Sequence, residues 1–245
     1  MAKRPLWLCI GMLLLSACQP AVLIPTPAPT QVIFSIQLTP GLSWLRPAFT
    51  SCADLSSLGL LVEEIPFRHF DLQLADVGFK WGGELPSQAH GFEISSDQLV
   101  VIVNPENQAA SLRLEQLQNI YTGKIDNWSE FDPESSSAEI HFWVNSSQEE
   151  AADAFVNTML NEKSSDIEAY EAPHPTEMRA AIAADSASIG YLPARWVDSS
   201  VRVIPISDQP ESPQIPVIAL TTAQPEGDLQ DWLLCVQNQA SNLEN

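Results

Sequence analysis

The chain has 245 residues, with 31 acidic and 11 basic side chains, which gives a formal net charge of −20. A surface this acidic repels nucleic-acid phosphates and anionic lipid headgroups, which excludes a nucleic-acid-binding protein of the usual basic kind. The apolar content of 45% is ordinary and permits a sizeable core in one or two lobes.

The N-terminus has the features of an export signal. Two basic residues precede an apolar run over residues 6–15, which is too short to span a bilayer. The following Leu-Ser-Ala-Cys resembles the bacterial lipobox, which implies that residues 1–17 are removed as a signal peptide and that Cys18 carries lipid. An ordinary secretory signal with an incidental cysteine is the alternative. Residues 18–31 contain four prolines and predict a semi-rigid spacer between an extracytoplasmic domain and a bacterial membrane.

The first globular segment alternates strand, helix and strand. Apolar patterns predict strands at residues 32–38, 59–64 and 76–81, with a helix from Thr39-Pro40 between the first two. This order predicts an α/β lobe with a largely parallel sheet, and ligands bind such sheets beyond the carboxyl ends of the strands. The loops at 39–43 and 80–83 are therefore the expected edges of one cleft.

The middle of the chain combines a strand, a turn and a helix. An apolar run at residues 99–103 predicts a buried strand that ends at Asn104-Pro105. Ser111 is the expected cap of the next helix, Glu115 lies in its first turn, and Gly123 ends it in the left-handed conformation.

These features carry a family resemblance. Residues 101–107, 111–121 and 121–128 follow the order found in the substrate-binding proteins of bacterial phosphate ABC importers, and Thr-Gly-Lys-Ile-Asp-Asn-Trp at residues 122–128 is the most specific part. The Ile-Gly-Tyr that ends at Tyr191 is similar to the family's crossover strand. A helix-turn-loop of another kind is the alternative.

The resemblance implies a fold and a function. The fold is α/β, a two-lobed periplasmic-binding fold of the second type, whose discontinuous lobes are residues 32–102 with 191–245, and residues 103–190. The function is capture of a small solute outside the cell and delivery to an ABC permease by a monomer without a cofactor.

Further elements complete the expected lobes. Strands are predicted at residues 139–144, 201–206 and 215–220, and a helix at residues 228–237. Two more helices are predicted, one opened by residues 146–150 and one over residues 176–184 with Thr176 as its cap.

The chain departs from the family at the anion site. Asn145 stands where the phosphate-binding relatives place an arginine, and Glu149-Glu150-Ala151 replaces their Ser-Gly-Thr-type turn. Because donors are missing and two carboxylates repel an anion, we expect no phosphate binding of the family's kind. The candidate ligand-binding residues, a mostly neutral set suited to a polar uncharged or cationic solute, are Thr39, Ser43, Lys80, Trp81, Asn145, Ser146, Ser147 and Gln148. Each has an alternative role as a cap, a turn-packing residue or a solvated loop residue.

The sequence offers little for catalysis or metal binding. The four histidines lack partners at helical spacing and have no nearby nucleophile in a recognised arrangement. Adjacent acids such as Glu149-Glu150 are more typical of solvated charge than of an acid/base pair. We therefore expect neither an enzyme nor a metal site. A sensor or assembly lipoprotein that keeps the binding fold is the main rival function, and a lipid-anchored hydrolase is the third.

The cysteines predict one disulfide. With residues 1–17 removed and Cys18 lipidated, Cys52 and Cys235 remain in an exported chain. Both lie on apolar faces of helices assigned to the same lobe, so we expect a bond between them. Two buried free thiols are the alternative.

Lipidation is tested by changing Cys18 to serine. Because the cysteine sulfur is the atom that attaches the lipid, the Cys18→Ser variant should no longer incorporate labelled fatty acid, whereas Cys52→Ser should label like the wild type. Equal labelling of the Cys18→Ser protein would disprove the lipid anchor.

Overall fold

The computed structural model describes residues 31–131, 138–147, 149–161, 169–209 and 212–242. The predicted signal peptide, Cys18, nearly all of the spacer and Gln148 lie outside the described residues. The described strands are β1 Ile33–Leu38, β2 Gly59–Glu64, β3 Val77–Trp81, β4 His90–Val103, β5 His141–Asn145, β6 Tyr170–Ala172, β7 Ser188–Pro193, β8 Arg202–Val203 and β9 Gln214–Thr221. The α-helices are α1 Arg46–Ser56, α2 Leu114–Tyr121, α3 Glu150–Phe155, α4 Pro175–Ala184 and α5 Gly227–Asn242. A π-helical turn, Val156–Leu160, extends α3.

The long strand β4 joins two halves of one sheet. Its residues 90–98 pair with β9, while residues 99–103 pair with β7, and the last two of these also pair with β8. The strand order is β2-β1-β3-β9-β4-β7-β5-β6. We call β1, β2, β3, β9 and the start of β4 the first half, and β5 to β8 with the end of β4 the second half.

The sheet is mixed rather than largely parallel. β1 pairs in parallel with β2 and β3, and β5 pairs in parallel with β6 and β7. The centre is antiparallel because the returning strand β9 enters between β3 and β4. The expected strand at residues 201–206 is reduced to β8, which pairs with Ile102 and Val103 and therefore joins the second half.

Each half has its own aromatic cluster. In the first half, Phe49 lies 4.6 Å from Phe79 and 5.4 Å from Trp232, between ring centroids, where α1 and α5 cover the sheet. In the second half, Phe155 stacks on Tyr191 at 3.7 Å. Aromatic pairs contribute about 0.5–1.5 kcal/mol beyond their buried area, so each half has a stabilising centre of its own.

Two predicted helix caps are wrong. α2 begins at Leu114, not after Ser111, because the intervening Leu112 bridges to Ile206. α4 begins at Pro175, and its cap is His174, whose Nδ1 accepts the Thr176 N–H. Gly123 has φ 67° just beyond α2, as predicted.

The structure joins Cys52 and Cys235, the pair predicted from the sequence, in a disulfide. It ties α1 to α5 across a sequence separation of 183, with Cα atoms 5.8 Å apart. Cys52 is fully buried against the first-half core.

Loss of this disulfide should destabilise the protein by up to about 5 kcal/mol, because the bond removes the closure entropy of a very long loop from the unfolded chain. Urea unfolding without reductant should show this loss in a Cys52→Ala/Cys235→Ala variant, and reduced wild type should match it. Peptide mapping without reductant that yields separate Cys52 and Cys235 peptides would contradict the bond.

Candidate ligand site

One buried carboxylate connects the two halves of the sheet. Glu150 begins α3, which follows β5 of the second half, and it is only 7% exposed. Its Oε2 accepts the Thr39 hydroxyl at 2.7 Å, and its Oε1 accepts the Trp81 backbone N–H at 2.8 Å. Both donors lie at carboxyl ends of first-half strands, because Thr39 follows β1 and Trp81 ends β3.

The local chain explains why these donors are available. Thr39 precedes a 3₁₀ turn, Pro40–Leu45, but makes no side-chain cap there. Its expected role as a helix cap is therefore wrong, since its hydroxyl is committed to Glu150. Beyond Trp81, Gly82 and Gly83 have φ of 68° and 73°, a conformation that glycine adopts without strain.

Lys80 places a cation beside the carboxylate. Its side chain is buried, and its Nζ donates to the backbone carbonyl of Glu84 at 3.0 Å. Burial lowers the pKa of Lys80, and the negative charges of Glu150, Asp153 and Glu84 act in the opposite direction. The site is therefore not a purely acidic one.

Both adjacent glutamates are buried, so the expectation that Glu149-Glu150 is solvated charge is wrong. Burial raises the pKa of Glu150 to about 8, although the hydrogen bonds from Thr39 and Trp81 and the charge of Lys80 lower it. Burial and the charge of Glu64 raise the pKa of Glu149 to about 7. Glu150 thus retains its proton in a large fraction of molecules at neutral pH.

A cavity of about 240 Å³ lies beside this carboxylate. Its lining includes Lys80, Trp81, Gly83 and Gln214 from the first half and Glu150, Asp153 and Asn157 from α3 and its extension. The indole N–H of Trp81 is buried and has no hydrogen-bond partner in the part of the chain that the structure describes. A cavity of this size holds a small solute rather than a large one.

Further contacts hold the chain together around the cleft. The Trp196 indole N–H donates to the Gly41 carbonyl at 2.8 Å. The Arg195 guanidinium lies 4.0 Å from the centroid of the Trp44 ring. These contacts attach the 3₁₀ turn after β1 to the short turn after β7.

The structure brings together three of the eight predicted site residues, Thr39, Lys80 and Trp81. Asn145 is buried, and its side-chain N–H donates to the Tyr191 carbonyl, so it packs against β7. Lys80 and Trp81 line the cavity, whereas Thr39 lies behind Glu150 and contributes only through its hydrogen bond. Among the described residues, the lining does not include Ser43, Asn145, Ser146 or Ser147. Gln148 lies outside the described residues.

The sequence does not predict Glu150 as a candidate site residue, because adjacent acids are usually solvated and repel anions. Its neighbourhood gave a signal, since two adjacent carboxylates directly before an apolar helical face are unusual at a position where the chain enters a core.

Within the described ranges, no helix has the length and apolar character needed to cross a bilayer. The same residues contain no group of three or more His, Cys, Asp or Glu side chains arranged to hold a metal ion.

The chain matches known proteins over most of its length. A family model described as a PBP superfamily domain matches residues 78–228. A putative phosphate ABC transporter substrate-binding protein with bound phosphate, from Clostridium perfringens, has a TM-score of 0.69 at 17% identity, covering 86% of this chain and 96% of its own. An ABC-type phosphate transport receptor from Vibrio cholerae has a TM-score of 0.62 at 17% identity, with coverage of 85% and 96%. A reduced OxyR regulatory domain from Pseudomonas aeruginosa has a TM-score of 0.62 at 12% identity, with coverage of 87% and 97%. These likenesses confirm the predicted α/β periplasmic-binding fold.

The raised pKa of Glu150 makes stability depend on pH. The folded state retains this proton to about pH 8, whereas the unfolded chain releases it near 4.5, so the free energy of unfolding should fall as pH rises between these values. The raised pKa of Glu149 also lowers the free energy of unfolding as pH rises, up to about pH 7. In the Glu150→Gln variant, the free energy of unfolding should no longer decrease between pH 7 and 8. In the wild type this decrease is at most about 1.4 kcal/mol per pH unit.

Urea unfolding from pH 5 to 9 measures this effect. The Glu149→Gln variant is the matched control, because it should keep the fall between pH 7 and 8. Identical pH dependence in the wild type and the Glu150→Gln variant would contradict the assignment.

Proposed function

Because this chain belongs to the PBP superfamily, we propose that it is an extracytoplasmic solute-binding lipoprotein of an ABC importer, similar to phosphate-binding proteins but with an altered anion site. The family is one of binding proteins rather than enzymes. Two solved neighbours are described as phosphate transport proteins, and they share the fold with this chain. A cavity between the two halves of the sheet supports capture of a small solute.

The observation that carries the altered site is the position of the Glu150 carboxylate. It receives the Thr39 and Trp81 donors that face the cleft, so these donors are not free for a dissolved anion. Two acidic side chains, Glu150 and Asp153, line the cavity with one lysine, Lys80, and Glu150 is largely protonated at neutral pH. The described lining lacks the excess of positive charge that would attract phosphate, which favours a polar uncharged or cationic solute.

The mechanism follows from the connection between the halves. Two lobes, residues 32–102 with 191–245 and residues 103–190, would close on the solute by hinge motion where β4 and β7 cross between them. A monomer anchored through Cys18, with residues 18–31 as its spacer, would then deliver the solute to the permease.

A second function is favoured by one further observation. Thr39 and Trp81 of the first half already bind Glu150 of the second half through contacts within the protein itself. A protein held in this way would suit a membrane-tethered sensor or assembly lipoprotein that feeds no transporter. Compaction on adding a solute, measured by small-angle scattering, would favour either of these functions over a lipid-anchored hydrolase. Copurification of the membrane-anchored protein with a permease would favour transport.

Phosphate binding is the direct test of the altered site. Titration calorimetry at low salt should show no micromolar binding of phosphate, because Glu150 occupies the Thr39 hydroxyl and the Trp81 backbone amide and the described cavity lining has no excess of positive charge. A thermal-shift screen of polar uncharged and cationic solutes should identify a ligand that raises the melting temperature. A clear phosphate isotherm that Lys80→Ala abolishes would contradict the altered site, because it would show that other residues of this chain still bind phosphate.

A further inference from the structure

The Glu150 carboxylate is bound as a ligand would be. Each of its two oxygens accepts one donor, the Thr39 hydroxyl on Oε2 and the Trp81 amide on Oε1. Both donors belong to the first half of the sheet, whereas the carboxylate comes from α3, beyond β5 of the second half. Lys80 adds positive charge from the residue before Trp81.

From this geometry we infer that Thr39, Lys80 and Trp81 form a receptor for one small carboxyl group, which Glu150 fills as an intramolecular ligand. The inference rests on the proposed function in that it places the ligand site in the same cleft. Beyond the proposed function, it states which chemical group the first half of the cleft binds, namely a carboxyl group.

The number of donors favours a carboxylate over a tetrahedral oxyanion. Thr39 and Trp81 supply two hydrogen bonds, one for each oxygen of a planar carboxylate. Phosphate would bring two more oxygens into a buried place, and an oxygen left there without a donor loses its hydration without compensation. The receptor should therefore discriminate between the two anions.

Covalent attachment gives Glu150 an advantage over any dissolved competitor. A group held next to its binding site acts at an effective concentration on the order of millimolar or higher. A free carboxylate must exceed this value to displace Glu150 from the wild-type protein. Removing the Glu150 side chain removes the competitor and leaves Thr39 and Trp81 in place.

Chemical complementation tests the receptor. The Glu150→Ala change deletes a methylene and a carboxylate, and acetate supplies a group of the same size. Sodium acetate at pH 5, where a substantial fraction carries a proton as Glu150 does in the folded protein, should raise the melting temperature of Glu150→Ala saturably, by roughly 2–4 °C, relative to sodium chloride of equal ionic strength. The rise should be smaller at pH 7. Sodium phosphate and methylammonium chloride should give no such rise.

Three control proteins make the result specific. The wild type and Glu150→Gln should not respond to acetate, because a side chain still fills the receptor. Adding Thr39→Val to Glu150→Ala should abolish the response, because one of the two donors is lost. A response in Glu150→Gln equal to that in Glu150→Ala would overturn the inference.

The outcomes also separate this inference from the proposed function. Absence of an acetate response in folded Glu150→Ala, or an equal response to phosphate, overturns the receptor even if the wild type binds a solute. A Glu150→Ala protein that folds only in acetate supports the receptor, and one that folds in neither buffer counts against it. Failure of the wild-type solute screen together with an acetate response would overturn only the proposed function.

Discussion

The hydrogen bonds that Glu150 makes with Thr39 and Trp81 are the constraint on which the arrangement of the two halves depends. A carboxylate this deeply buried is costly unless its oxygens are satisfied, and the nearest part of the chain that satisfies them is the far side of the cleft. The turn at Gly82 and Gly83, the Lys80 side chain and the small cavity all lie beside this contact.

The two halves share one apolar core, and each also has a stabilising centre of its own. The first has the aromatic cluster around Phe49 and the disulfide between α1 and α5, and the second has the stack of Phe155 on Tyr191. β4 connects the halves by backbone pairing along its 14 residues, which a bulge at Ile94 interrupts.

The sequence predicted much of the fold and part of the site. Strands, the disulfide and the loops containing Thr39, Lys80 and Trp81 follow from local patterns, because apolar periodicity and turn residues act over short distances. Glu150 was misjudged, since its burial depends on partners 111 and 69 residues away in the chain. The antiparallel centre of the sheet escaped prediction for the same reason, because the position of β9 is set by non-local pairing.

The disulfide also determines how the molecule bears a mechanical load. Cys52 and Cys235 are covalently joined, so tension applied between the N-terminal and C-terminal ends of the chain passes directly from one sulfur to the other. The intervening residues 53–234, which include the whole second half and Glu150, form a closed loop outside that path, whereas Thr39 precedes Cys52 and lies within it. Tension on the ends would therefore act on β1 and the end of α5, and it would reach the cleft through the hydrogen bond between Thr39 and Glu150.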